Sequence, residues 1–183
     1  MPYKDMKVKI GRFSNDKERV YGFVKSEYEK IVEDYKKTGQ SLEGATYEIL
    51  EIVEKGIEKK DKEIENILKN ISSTILETAR KSAFENIKKN EKEFKRAYDS
   101  FIDSIEREKC SYDEIIKALY SYDKDKNRHL FDETIKHLKK DIKEIDKIKK
   151  LNSQTVMKKD QNSWLNRLTA IVKTTLATNS DKF

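Results

Sequence analysis

The chain has 183 residues, of which 40% are charged and 36% hydrophobic, and its formal net charge is +6. One proline and five glycines are too few for sheets or loop-rich folds, so the composition favours long helices. A single cysteine, Cys110, excludes an intrachain disulfide framework and a multi-cysteine metal cage. No apolar run approaches the roughly 20 residues of a membrane span, and the first residues lack the apolar segment of a secretory signal. We therefore expect a cytoplasmic protein without a membrane span.

The first predicted element is a flexible N-terminal arm over residues 1–14. Inside it, three apolar residues alternate with lysines, which is a weak signal for one short strand: Met6, Val8 and Ile10. The rest of the sequence offers no strand that could pair with it. An irregular arm is therefore the favoured interpretation.

Two helices follow, each with a recognisable start and end. Asn15, with Glu18 three residues later, forms a capping box that predicts the start of the first helix. Its apolar residues step by three or four, and Gly39 marks its end. Ser41 begins the second helix. Gly56 predicts a kink or break there, because a glycine inside a helix costs about 1 kcal/mol relative to alanine.

The longest apolar stripe runs from Ile64 to Ile105. An unbroken helix over residues 61–108 would extend about 70 Å and would need other helices packed along it. Its weak point is KKNEKEF, residues 88–94, which holds no apolar residue before Phe94. The continuity of this helix is therefore an open alternative at the level of sequence.

The last third of the chain predicts three more elements. Ser111 with Glu114 forms a second capping box, and residues 131–148 carry a stripe with near-heptad spacing. Residues 152–162 are polar and predict a loop, and Trp164 to Leu176 predict a short C-terminal amphipathic helix.

These elements predict an all-α fold, an elongated bundle of five or six amphipathic helices that includes long antiparallel coiled-coil-like helices. We expect a helical bundle domain over residues 15–151. Residues 152–183 would hold the polar loop and the C-terminal helix.

The segment YSYDKDKNRHLFDETIKH, which begins at residue 120, is the main candidate for a metal site. Three of its side chains match positions 1, 3 and 5 of an EF-hand calcium loop: Asp123, Asp125 and Asn127. Arg128 and Thr134, however, stand where that loop requires glycine and a bidentate glutamate. The favoured interpretation is a polar connection between two helices, in which Asp125 or Asn127 caps the second helix.

The two histidines of the chain offer a second metal hypothesis. His129, Glu133 and His137 fall at i, i+4 and i+8 on one side of a helix. The ends of this set are about 12 Å apart, so one ion would need ligands from another helix. A solvated polar face is the favoured interpretation, and we predict no bound metal or cofactor.

Catalytic patterns are scarce. Cys110 precedes the predicted capping Ser111, and a helix N-terminus can lower the pKa of a thiol, but neither histidine is near Cys110 in sequence. The five glycines form no phosphate-binding loop. We predict no catalytic residue and a non-enzymatic protein.

The segment KHLKKDIKEIDKIKK, residues 136–150, opens the most basic part of the chain. Residues 136–183 carry 12 basic and 5 acidic side chains. Such lysines can bind nucleic-acid phosphates with release of counterions. Three acidic residues interrupt the run, however: Asp141, Glu144 and Asp146. The run also has no arginine and no base-reading motif. A solvated helix edge is the favoured interpretation.

Two main hypotheses about function follow. The first is a non-enzymatic interaction or assembly protein, which binds a protein partner or self-associates through apolar helix stripes that a monomer cannot fully cover. The alternative is a basic helical nucleic-acid-binding protein that uses six lysines of the C-terminal third: Lys139, Lys140, Lys143, Lys147, Lys149 and Lys150. A metal-dependent activity within the bundle is the third and weakest reading.

Overall fold

The computed structural model describes residues 6, 9–12, 16–57, 61–90, 98–158, 170 and 172–174. All regular structure in these ranges is α-helical, which confirms the predicted fold class. Five long helices follow one another along the chain: α1 (Lys17–Thr38), α2 (Leu42–Gly56), α3 (Asp61–Asn90), α4 (Tyr98–Lys126) and α5 (Asp132–Lys158). Their number agrees with the five or six helices that the periodicity predicts.

The described residues of the predicted N-terminal arm include a short helical stretch. Residues 9–12 are helical, and Met6 and Ile10 are buried, whereas Lys9, Gly11 and Arg12 are exposed. The weak strand signal is therefore not realised at these residues. The flexible arm over residues 1–14 stays a prediction.

The N-cap residue of helix α1 lies one residue later than predicted. The N-cap is Asp16, whose Oδ1 accepts a hydrogen bond from the Arg19 backbone N–H at 3.3 Å, whereas Asn15 lies outside the described residues. The end is as predicted. Gly39 has a φ of 71°, which glycine adopts without a steric penalty, and its N–H donates to the Tyr35 carbonyl at 2.8 Å.

Helix α2 begins and ends where the sequence predicts. The Oγ atom of Ser41 accepts from the Gly44 N–H at 3.1 Å, and the helix ends at Gly56. Glu114 of α4 adds a second cap, because its Oε1 accepts from the backbone N–H groups of Leu42 at 3.1 Å and Glu43 at 3.3 Å. A carboxylate at this position also interacts favourably with the helix dipole.

Helices α3 and α4 are separate. The sequence left the continuity of residues 61–108 open; in the structure α3 ends at Asn90 and α4 begins at Tyr98. The intervening residues overlap the charged KKNEKEF segment and lie outside the described residues. The second capping box is wrong, because Ser111 lies inside α4 and its Oγ donates to the Glu108 carbonyl at 2.7 Å.

Helix α5 continues through Lys158, seven residues into the loop predicted for 152–162. In the predicted C-terminal helix, the described residues 170 and 172–174 are helical, and Val172 is buried. The coiled-coil character and the domain boundaries at residues 15, 151 and 183 stay predictions.

The chain divides into two compact units. Unit 1 comprises Met1–Thr78 and Asp113–Lys136, and unit 2 comprises Ala79–Tyr112 and His137–Phe183. The buried core of unit 1 includes Val24, Tyr28, Leu42, Ile49, Leu50, Ile67, Leu68, Ile71, Ile75, Tyr122 and Phe131. That of unit 2 includes Ala83, Phe84, Ile87, Tyr112, Leu138, Ile145 and Ile148. Full burial of each large apolar side chain contributes about 1.5–3 kcal/mol.

Candidate functional site

The turn between α4 and α5, in unit 1, is closed by the carboxylate of Asp123. This side chain is buried, and each of its oxygens accepts a backbone hydrogen bond: Oδ1 from the Leu130 N–H at 3.1 Å and Oδ2 from the Phe131 N–H at 3.0 Å. The cap of α5 is therefore Asp123 of the preceding helix. The prediction that Asp125 or Asn127 caps α5 is wrong.

The other two residues of the predicted calcium loop have separate roles. Oδ2 of Asp125 accepts a hydrogen bond from the Tyr47 hydroxyl at 2.6 Å. Asn127 has a φ of 52°, a left-handed conformation that asparagine tolerates better than most residues. The segment is thus a helix-to-helix connection, as the favoured interpretation predicts, and protein donors bond the carboxylates of both Asp123 and Asp125.

Arg128 ties this turn to α2. Its Nη1 donates to Oε1 of Glu54, and the Tyr122 hydroxyl donates to Oε2 of the same carboxylate. Burial works to raise the pKa of Glu54, but the hydrogen bonds from Tyr122 and Arg128 and the charge of Arg128 outweigh it, so the pKa lies below its usual value. The positive charge that argues against a calcium loop therefore holds the turn in unit 1.

His129 and Glu133 are the two members of the proposed histidine site that belong to unit 1, and they do not surround a common point. The side chain of His129 is 87% exposed, with Nδ1 lying 3.7 Å from Oδ2 of Asp132, and Glu133 is exposed as well. His137 belongs to unit 2 and is half-buried. Within the described ranges, no group of three or more His, Cys, Asp or Glu side chains is placed to hold a metal ion.

In unit 2, α5 exposes only lysine between residues 137 and 150. Five positions of this stretch are exposed, and all are lysines: Lys139, Lys140, Lys143, Lys147 and Lys150. At 100° per residue, they share an arc of about 100°, and at 1.5 Å per residue they cover about 17 Å of the helix axis. These five residues are called the lysine stripe below.

The three carboxylates that interrupt this run in sequence lie about 20–100° outside the arc of the stripe, Asp146 nearest to it and Asp141 farthest from it. Each is at least half-buried and bonded to a cation: Asp141 to Arg80, Asp146 to Lys109 and Glu144 to Lys147. Only the Glu144 pair involves the stripe, and an ion pair near the surface contributes about 0–1 kcal/mol. The other four stripe lysines form no ion pair with a described residue. The stripe therefore keeps most of its positive charge.

A buried ion pair lies behind the stripe, within unit 2. Arg80 of α3 binds Asp141 with two hydrogen bonds, Nε to Oδ2 at 2.7 Å and Nη2 to Oδ1 at 3.1 Å. The Tyr112 hydroxyl of α4 donates to Oδ2 at 3.1 Å. Arg80 and Asp141 are each 2% exposed. Burial raises the pKa of Asp141, against the lowering effect of Arg80 and Tyr112.

This buried pair sets the rotation of α5. Asp141 lies about 150° around the helix from the middle of the lysine stripe. Its bonds to α3 and α4 therefore hold one side of α5 inward within unit 2 and leave the lysines facing solvent.

The sequence contains a signal for this pair that the reading of the charges missed. Asp141 continues the apolar spacing of Leu138, Ile145 and Ile148. If these apolar residues are buried, the acidic residue between them must be buried as well. Arg80 falls in the same way four residues before Phe84. A buried acid and a buried base of this kind are expected to pair, because an unpaired buried charge is strongly unfavourable.

Of the two remaining candidates, Cys110 and Trp164, the structure describes only Cys110. Cys110 is exposed and lies well inside α4, so the predicted helix junction beside it is wrong. Trp164 lies outside the described residues. Large apolar side chains are covered in the described part of the chain, where Tyr120 alone is exposed, at 63%. No helix in that part has the length and apolar character needed to cross a membrane.

Comparison with known proteins finds no match to this chain among family models, curated proteins or solved structures.

Proposed function

We propose that this chain is a non-enzymatic helical protein that binds nucleic acid through the lysine stripe of α5. One observation supports this function above the alternatives. Every exposed position of α5 between residues 137 and 150 is a lysine, while the three acidic residues of the same stretch are each at least half-buried and paired with a cation. The stripe is thus a local concentration of positive charge on a chain whose net charge is already +6.

Counterion release provides the binding energy. Each lysine that neutralises a phosphate releases condensed cations, and log K falls with log salt by about 0.9 for every phosphate contacted on a duplex. Five lysines predict a slope of about −4.5. The expected dissociation constant is that of non-specific binding, about 10⁻⁴ to 10⁻⁶ M at physiological salt.

The hypothesis of self-association through apolar stripes has less support. It assumed apolar stripes that a monomer leaves uncovered, but among the described residues Tyr120 is the one large apolar side chain that is exposed, while several others, such as Phe23, Ile31 and Ile142, are half-buried. Oligomerisation and coiled-coil pairing therefore remain predictions, which light scattering on the purified protein can test. We retain the cytoplasm as the proposed location, because a chain with one cysteine suits a reducing compartment.

A pair of charge-matched variants tests the proposed function. The stripe variant K139Q/K140Q/K143Q/K150Q removes the four lysines without an ion pair. The control variant K17Q/K62Q/K117Q/K124Q removes four exposed lysines scattered over unit 1 and changes the net charge equally. Binding of a labelled duplex of about 20 base pairs is measured by fluorescence anisotropy from about 50 mM salt upward, where the electrostatic term is strongest.

We expect the stripe variant to lose about 3.6 from the magnitude of the salt slope, because four phosphate contacts are removed. The control should keep a slope near that of the wild type. Equal losses in the two variants would mean that net charge, and not the stripe, drives binding. Absence of binding by the wild type at about 50 mM salt would overturn the proposed function.

A further inference from the structure

We infer that the lysine stripe binds the phosphate backbone of a double-stranded nucleic acid without regard to base sequence. This inference rests on the proposed function and names the form of nucleic acid that the stripe accepts. Three features of unit 2 carry it: the spacing of the lysines, the absence of base-reading side chains between them, and the burial of the described aromatic side chains.

The spacing of the stripe matches a duplex strand. Five lysines over about 17 Å of helix axis give one positive charge for every 3 to 4 Å. A strand of double-stranded DNA presents one phosphate for about every 3.4 Å of its axis. The two rows of charge have the same density along their axes. A duplex strand winds through about half a turn over 17 Å, because one turn takes about 34–36 Å, so the match is one of charge density and not of a straight row of contacts.

The stripe offers lysine alone for contacts with bases. Base recognition in the major groove relies on arginine or lysine at guanine and on asparagine or glutamine at adenine, so the stripe lacks the side chains that would distinguish a mixed sequence. The exposed positions of α5 from 137 to 150 are lysines alone. Contacts from lysine to phosphate set the position of a protein on the duplex but carry no sequence information. Affinity should therefore be nearly independent of sequence.

The described part of unit 2 offers a single strand no exposed aromatic ring. Proteins that bind single-stranded nucleic acid stack its bases on exposed aromatic rings, each worth about 1–3 kcal/mol per base. The described aromatic side chains of unit 2 are all buried: Phe84, Phe101 and Tyr112. A single strand would gain only phosphate contacts, at lower charge density, and would lose conformational freedom on binding.

An anionic lipid surface fits the stripe less well than a duplex does. A helix that lies in a membrane interface inserts an apolar face beside its lysines. Three apolar residues of α5, Leu138, Ile145 and Ile148, are instead buried in unit 2, and Ile142 beside them is half-buried. Lipid binding would therefore rest on charge alone.

The test compares three probes on the full chain. Duplexes of about 20 base pairs in two unrelated sequences, one strand of the same length, and vesicles containing phosphatidylserine are titrated at about 50 mM salt, each with the wild type, the stripe variant and the control variant. We expect the two duplexes to bind within about twofold of each other, and about tenfold tighter than the single strand. Only the stripe variant should lose this binding.

The outcomes separate the inference from the proposed function. A single strand that binds as tightly as the duplex, or a preference of more than about tenfold between the two duplexes, overturns the inference and leaves nucleic-acid binding intact. Vesicles that bind more tightly than the duplex, and only through the stripe, overturn the inference in favour of a lipid surface. If neither nucleic acid binds, the inference and the proposed function fall together.

Discussion

Replacing Asp141 by alanine tests the internal support of the lysine stripe. In the wild type, Asp141 accepts two hydrogen bonds from Arg80 and one from Tyr112, and all three side chains are buried. The variant leaves the Arg80 guanidinium charged and without its carboxylate in a site that is 2% exposed. It also leaves the Tyr112 hydroxyl without its acceptor.

The magnitude follows from these two losses. Removing one partner of a buried ion pair costs about 3–5 kcal/mol, and an unsatisfied buried hydroxyl costs about 1–3 kcal/mol. The two overlap, because both groups bond the same carboxylate, so we expect D141A to lower the free energy of unfolding by about 4–5 kcal/mol. That is a large part of the roughly 5–15 kcal/mol that stabilises a typical domain.

Replacing both partners should cost much less. Among the described residues, Nη1 of Arg80 has no hydrogen-bond partner, so the wild-type pair itself is not fully compensated. The double variant R80M/D141L removes both charges and keeps comparable volume, and such exchanges are often neutral or stabilising. We expect it to lie within about 2 kcal/mol of the wild type.

Urea unfolding followed by far-ultraviolet circular dichroism measures these differences. D146A is the matched control, because the pair of Asp146 with Lys109 is half-exposed and should contribute at most about 1 kcal/mol. The reasoning fails if D141A costs no more than D146A. It also fails if the double variant loses as much stability as D141A does.

Three further predictions concern unit 1 and the stripe. Because the folded pKa of Glu54 lies below its usual value of 4.5, its pairing stabilises the fold above that pH and is lost as the pH falls through the folded pKa. Urea unfolding at several pH values should show that E54Q loses less stability than the wild type as the pH falls through this pKa. The same dependence of stability on pH in both proteins would contradict the pairing. The variant E144Q removes the carboxylate bonded to Lys147, so duplex binding at about 50 mM salt should tighten about two- to fivefold, whereas weaker binding would speak against the stripe. In α1, G22A should raise the free energy of unfolding by about 0.5–1 kcal/mol, because a Cβ at this position meets nothing within 4 Å. After α1, G39A should lower it by about 1 kcal/mol, because the φ of Gly39 is 71°. Calorimetry that finds the same sign for both variants would refute this.

Local chemistry in the sequence correctly predicts several features of the fold. The spacing of apolar residues predicts the helical class, and Ser41, Gly39 and Gly56 mark helix ends correctly. These predictions succeed because each depends on atoms within about one helical turn. A serine hydroxyl that reaches the N–H three residues later, or a glycine with a left-handed backbone, needs no knowledge of the rest of the chain.

The errors occur where the decisive partner is distant in sequence. Glu114 is predicted to cap its own helix, but it binds the start of α2, more than 70 positions away. Asp123 is seven residues from the first amide that it caps, so no local capping rule finds it. Ser111 matches a capping box by residue type alone. In the structure it lies inside α4, which continues from Tyr98 to Lys126.

By itself, the sequence determined that this protein is helical and that its last third is rich in lysine, because residue spacing and composition are local quantities. Only the tertiary structure decided which residues of that lysine-rich part face solvent. Asp141 reads as an interruption of a basic surface, yet it is buried against Arg80, 61 positions away in the chain. That pairing follows from the packing of α5 against α3 and α4 in unit 2, and it removes one carboxylate from solvent where a run of mixed charge exposes five lysines.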